Sequence, residues 1–131
     1  MHAYAKADSG QPVWLDNDAR SLAGKAVLRN LEKQKHSALA IAVGSNHAHL
    51  LVQLPVSRTT VKEAVGRAKL SASMKLKRVI PGRVWARGCN IKAINDEEHH
   101  RNTFAYIDRH RDEGAWVWTF RDGPIEDDIP F

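Results

Sequence analysis

Two histidines flank one small residue at His47-Ala48-His49, and this spacing is the strongest chemical signal in the chain. Successive side chains of a strand point to opposite faces, so both imidazoles would share one face, roughly 6 to 7 Å apart along it. Imidazole is the commonest metal ligand, and a pair at that separation can hold one divalent ion. The same triplet also fits two hydrogen-bonded histidines with no ligand. Its flanks, Ala38-Leu39-Ala40-Ile41-Ala42-Val43 and Leu50-Leu51-Val52, are strongly apolar, and polar groups carried into a sheet centre need partners. A second group lies downstream, where His99, Thr103, Tyr106 and His110 recur at helical spacing and share a face. There Tyr106 could be a packing residue with a wet hydroxyl, and His110 could favour a helix C-terminus through the dipole.

The elements that must position these residues follow from pattern. Met1 to Ala7 alternates, and Gln11 to Leu15 could extend it after a Ser9-Gly10 turn, as a first strand or hairpin. Asp16-Asn17-Asp18 offers an N-cap to a helix marked by Leu22, Ala26, Leu28 and Leu31, ending near Gln34. Ser37 to Val43 and His47 to Leu54, joined by Gly44-Ser45-Asn46, predict an antiparallel hairpin with the histidines opening its second arm. Pro55 ends it. Thr59-Thr60 with Glu63 resembles a capping box for a second helix, striped by Val61, Val65, Ala68, Ala72, Leu76 and Val79. Pro81-Gly82 turns into a strand from Val84 to Ile94 with Gly88 as a bulge. Asn95-Asp96 caps a last helix from Glu97 to about Glu113, stopped by Gly114, with Phe104 and Ile107 on its buried face. Trp116 to Phe120 is a short extended segment. The order β-α-β-β-α-β-α predicts an α+β fold, ferredoxin-like or RRM-like (the RNA-recognition layout), an antiparallel sheet with helices mainly on one face.

Composition bounds the class. The 131 residues suit a single domain, read as residues 1–120 with an acidic C-terminal tail at 121–131. No apolar run approaches the roughly 20 residues that span a bilayer, the N-terminus lacks an export pattern, and one cysteine, Cys89, excludes a disulfide framework. A cytoplasmic protein without membrane contact is expected. Twenty Lys and Arg against fifteen Asp and Glu give a formal charge of +5, and the excess is uneven. Between residues 58 and 92, ten cations face the single acid Glu63. Such a stretch is a solvated face or a nucleic-acid surface, and its length and one-sidedness favour nucleic acid.

These residues together resemble the HUH-superfamily transposases with a single catalytic tyrosine, and among them the REP-associated tyrosine transposases of the insertion-sequence-200 type. The resemblance rests on Asn46-His47-Ala48-His49-Leu50-Leu51-Val52, on Val84-Trp85-Ala86-Arg87-Gly88, and on Tyr106-Ile107 with His110, Gly114 and Ala115. It runs through about residues 1 to 120. It implies a metal-dependent endonuclease and strand transferase acting on single-stranded or hairpin DNA in the prokaryotic nucleoid, working as a homodimer. Tyr106 would attack a phosphodiester to give a 5′-phosphotyrosine and a free 3′-hydroxyl. His47 and His49 would hold Mg²⁺ or Mn²⁺. The family's third ligand, commonly Gln or Asn one turn after the tyrosine, falls here on His110, a departure that tilts preference toward Mn²⁺. Ala48 replaces a bulkier aliphatic residue at a core-facing position. Lys62, Arg67, Lys69, Lys75, Lys77, Arg78, Arg83 and Arg87 would track the DNA backbone.

Three other readings compete. A non-catalytic single-strand-binding module of the same fold, a domesticated transposase, would stack bases on exposed strand aromatics, yet Tyr4 is the only clear candidate. Tyr4 itself reads as packing or base stacking. A two-histidine phosphoesterase needs two His-x-Ser/Thr motifs, and a structural zinc site needs ligand spacing that one cysteine does not offer.

Overall fold

In the computed structural model, residues 2–8, 15–54, 58–77, 85 and 90–125 are described. Five strands form one antiparallel sheet: β1 (His2–Asp8), β2 (Ser37–Val43), β3 (His47–Gln53), β4 (Asn90–Ile94) and β5 (Trp116–Thr119), in the order β4-β1-β3-β2-β5. Three helices complete the α+β fold: α1 (Asn17–Lys33), α2 (Arg58–Leu76) and α3 (Glu97–Asp108). No helix among the described residues is long and apolar enough to cross a membrane.

Strand alternation divides the apolar residues between two faces. Ala3, Ala5, Ala7, Ile41, Val43, Ala48, Leu50 and Val52 point to the face covered by α1 and α2 and form the main core. The α2 stripe behaves as its pattern predicts, with Val61, Val65, Ala68, Ala72 and Leu76 buried; Val79 lies outside the described residues. On α1, Asp16 caps the first turn by accepting from the Ala19 N–H at 2.9 Å. Residue Gly24 admits the Trp116 ring: a Cβ built there would lie 2.0 Å from a ring carbon. Trp118 is also buried, its indole N–H donating to the Gly123 carbonyl at 2.7 Å. Both tryptophans therefore serve the chain's own core.

The third helix crosses the opposite face, where Ile107 meets Ala40, Ala42 and Leu51 in a much smaller core. Two helices on one face and the third on the other is the arrangement that positions the site. Four boundaries differ from expectation. Leu15 is in no strand, its N–H donating to the Ser45 carbonyl. α2 begins at Arg58, placing Thr59 and Thr60 inside its first turn instead of at a cap. β4 begins at Asn90, with Trp85 an isolated bridge whose indole N–H donates to the Lys69 carbonyl at 3.1 Å. The last helix tightens to a 3-10 turn over Arg109–Glu113. The Gln11–Trp14 extension, Pro55, the Pro81-Gly82 turn, Gly88 and residues 126–131 of the acidic tail lie outside the described residues.

Candidate metal centre and tyrosine

His47 and His49 share the α3 face of β3 while Ala48 turns into the main core. The β2–β3 hairpin holds them in register, with Ala42 opposite His49 and Val43 opposite Ala48. The helix docks above them because Ile107 is fully buried, and the Asp96 carboxylate fixes its start by accepting from the His99 N–H at 2.7 Å. Gly114, at φ +84°, ends the following turn in the left-handed region, where a residue without Cβ is unstrained. Arg111 braces the same end, bridging Asp108 and Asp122. Asp122, counted by sequence with the tail, also accepts from the Thr119 N–H.

This docking brings three imidazoles together in cis. Ring centroids lie 4.8 Å apart for His47 and His49, 4.4 Å for His49 and His110, and 6.2 Å for His47 and His110. One nitrogen from each lies within 4.8 Å of the other two, a separation suited to a single metal ion. Each Nδ1 already faces an oxygen: Tyr4 Oη at 2.6 Å from His49, Asn46 Oδ1 at 2.7 Å from His47, and the Tyr106 carbonyl at 2.8 Å from His110. A carbonyl only accepts, so His110 carries a proton on Nδ1, which leaves Nε2 as the nitrogen that can ligate. The Asn46 oxygen imposes the same tautomer on His47. His49 Nε2 is fully buried with no hydrogen-bond partner. An orphaned buried nitrogen costs about 1–3 kcal/mol of desolvation unless something coordinates it, and a divalent cation would satisfy it.

Electrostatics hold His49 in its neutral form. Burial, then the neighbouring His110, His47 and Lys6, lower the His49 pKa to about 3. His49 is thus neutral, the protonation state a ligand needs. The donor set fits a borderline divalent ion; three nitrogens favour Mn²⁺ over Mg²⁺.

Tyr106 stands beside the cluster. Its ring makes edge contacts with His49 at 5.5 Å and His110 at 4.9 Å, and the residue is 44% exposed. It lines an open cleft of about 540 Å³ with Lys6, His47, His49, Arg109, His110 and Glu113. Glu113 Oε2 lies 3.9 Å from His110 Nε2.

Of the basic residues singled out from sequence, none of those described joins this cleft. Lys62, Arg67, Lys69, Lys75 and Lys77 sit on α2, across the sheet from the histidines, while Arg78, Arg83 and Arg87 lie outside the described residues. Sequence reasoning overlooked Tyr4 as a partner of His49, Asn46 as a partner of His47, and the cleft cations Lys6 and Arg109. Tyr4 and Lys6 alternate on β1, and β1 pairs with β3 so that Lys6 stands opposite His49; only the pairing register reveals the link.

The architecture is shared with solved transposase structures. A REP-associated tyrosine transposase bound to a REP hairpin aligns with a TM-score of 0.68 and 14% identity, over 86% of this chain and 68% of that one. A transposase candidate from Deinococcus radiodurans R1 aligns at 0.59 and 16% identity, over 86% of this chain and 89% of the other. No curated protein matches. The family described as IS200-like transposases matches residues 11–110, a span that opens before His47 and His49 and closes on Tyr106 and His110, and the chain belongs to that family.

Proposed function

We propose that the chain is a metal-dependent single-stranded DNA endonuclease and strand transferase, with Tyr106 as nucleophile and His47, His49 and His110 as ligands of Mn²⁺ or Mg²⁺. The observation that carries this reading is the unpartnered, fully buried His49 Nε2, ringed by two further imidazoles and flanked by an exposed tyrosine. A bound ion would supply Lewis-acid neutralisation of charge building on the scissile phosphate. Asn46 and the Tyr106 carbonyl orient His47 and His110 with Nε2 left for a ligand, and the Tyr4 hydroxyl, accepting from Nδ1, would do the same for His49. Lys6 and Arg109, beside the histidines, add positive charge where a phosphate would enter.

In the proposed step, a bond forms between Tyr106 Oη and phosphorus as the P–O3′ bond breaks. The phenolic proton is released to water and the departing 3′-oxygen takes one up from water, leaving as a hydroxyl. The product is a 5′-phosphotyrosine, which conserves the energy of the broken bond for rejoining. The solved relative is described as bound to a REP hairpin, and a DNA hairpin is the substrate proposed here. A homodimer is part of the same reading.

The test is incubation with labelled single-stranded hairpin DNA and Mn²⁺, followed by denaturing electrophoresis. A covalent protein–DNA band is expected, absent for Tyr106→Phe and His47→Ala. Tight binding with no adduct across varied hairpins would overturn the catalytic reading in favour of a binding module.

A further inference from the structure

Tyr106 is the wall between two clefts. Beyond its ring from the histidines lies a second cleft of about 340 Å³, lined by Tyr4, Lys92, His99, Asn102, Thr103 and Tyr106, a size that accommodates a small ligand. Its construction follows from register and periodicity. Lys92 on β4 stands directly opposite Tyr4 on β1, so both side chains leave the same sheet face. His99, Asn102, Thr103 and Tyr106 recur at i, i+3, i+4 and i+7 on α3, one helix face turned over that strand edge.

The chemistry of the lining is selective. Two aromatic rings enclose an ammonium, an imidazole, a side-chain amide and a hydroxyl. The side chains of Lys92, His99, Asn102 and Thr103 make no hydrogen bond or ion pair with another described residue. An amide and a hydroxyl can read a base edge, an ammonium can hold a phosphate, and an aromatic face can stack a base. Because Tyr106 lines both clefts, a strand that presents one phosphate to the histidines can carry its neighbouring nucleotide past that ring into the second.

We propose that this cleft is a nucleotide subsite. It receives the nucleotide adjoining the phosphate in the histidine cleft, with Lys92 on its phosphate and Asn102 and Thr103 on its base edge. Its place beside the scissile phosphate rests on the proposed cleavage reading; its ability to bind a nucleotide does not.

The test uses metal-free protein, so no cleavage is involved. The four deoxynucleoside 5′-monophosphates and deoxyribose 5-phosphate are titrated while the Asn102 side-chain amide and the Thr103 resonances are followed by NMR. Saturable shifts at both residues are expected, with one base favoured on the order of tenfold over the poorest. Asn102→Ala should level that preference, whereas Lys92→Ala should weaken all four nucleotides alike. Both positions are exposed, and unchanged α1 and α2 resonances verify folding. Equal affinity for deoxyribose 5-phosphate, or shifts confined to other residues, would sink the proposal. Nucleotide binding without any covalent adduct leaves the subsite standing and the cleavage reading fallen; adduct formation without nucleotide binding does the reverse.

Discussion

The hydroxyl of Tyr4 separates orientation of a ligand from the ligand itself. Tyr4→Phe keeps the ring stacked near His49 but removes the oxygen 2.6 Å from Nδ1. Losing such an outer partner typically lowers metal affinity about 10- to 100-fold. We expect that loss for Mn²⁺ by calorimetry, with little change in metal-free stability; an unchanged affinity would remove Tyr4 from the site. His49 also makes a prediction about acid. With its folded pKa near 3 against an ordinary 6.5, the unfolded state binds the extra proton between those values. Stability of the metal-free protein is therefore full above pH 6.5 and falls as pH drops toward 3, by at most about 1.4 kcal/mol per unit from this group. Urea unfolding across pH 4 to 7 checks it, and His49→Gln should flatten the dependence. At this scale, His47, His49, Tyr106 and His110 were readable because spacing within one element sets which residues share a face. Tyr4 was not, since its partner is 45 residues away and only strand pairing joins them.

At the scale of elements, Gly24 sets two effects in opposition. Replacing a mid-helix glycine with alanine ordinarily gains about 0.5–1 kcal/mol of helix stability. Here the new Cβ would lie 2.0 Å from the Trp116 ring, and overpacking of that kind costs roughly 1–3 kcal/mol. The clash should win: Gly24→Ala is expected to lower the denaturation midpoint, and a raised midpoint would refute the packing. Helix starts with a polar cap and long apolar stripes were legible, as Asp16 and the α2 stripe illustrate. The short extended segment after Gly114 was seen, but not that β5 pairs with β2 at the sheet edge, because pairing partners leave no local signature. Nor does a count of lysines on α2 say on which side of the sheet they lie.

Across the whole molecule, the sheet separates a large core from a small one, and the proposed ligands span the small side. His47 and His49 belong to a strand, His110 to the turn that continues α3. A metal bound there would join the helix to the sheet, so Mn²⁺ at 100 times its dissociation constant should stabilise the fold by about 2.7 kcal/mol. Thermal unfolding with and without chelator measures this, and His47→Ala should abolish the difference. Without metal, amides of α3 should exchange hydrogen at lower free energy than those of α1 and α2, which bury the main core. Only Ile107 of α3 is fully buried, against Ala40, Ala42 and Leu51, with Tyr4, Leu39, Ile94, Phe104 and Val117 partly buried around them. The segment bearing Tyr106 is thus the expected latch of the molecule: it is anchored on the smaller core and should open before the strands and two long helices that enclose the larger one.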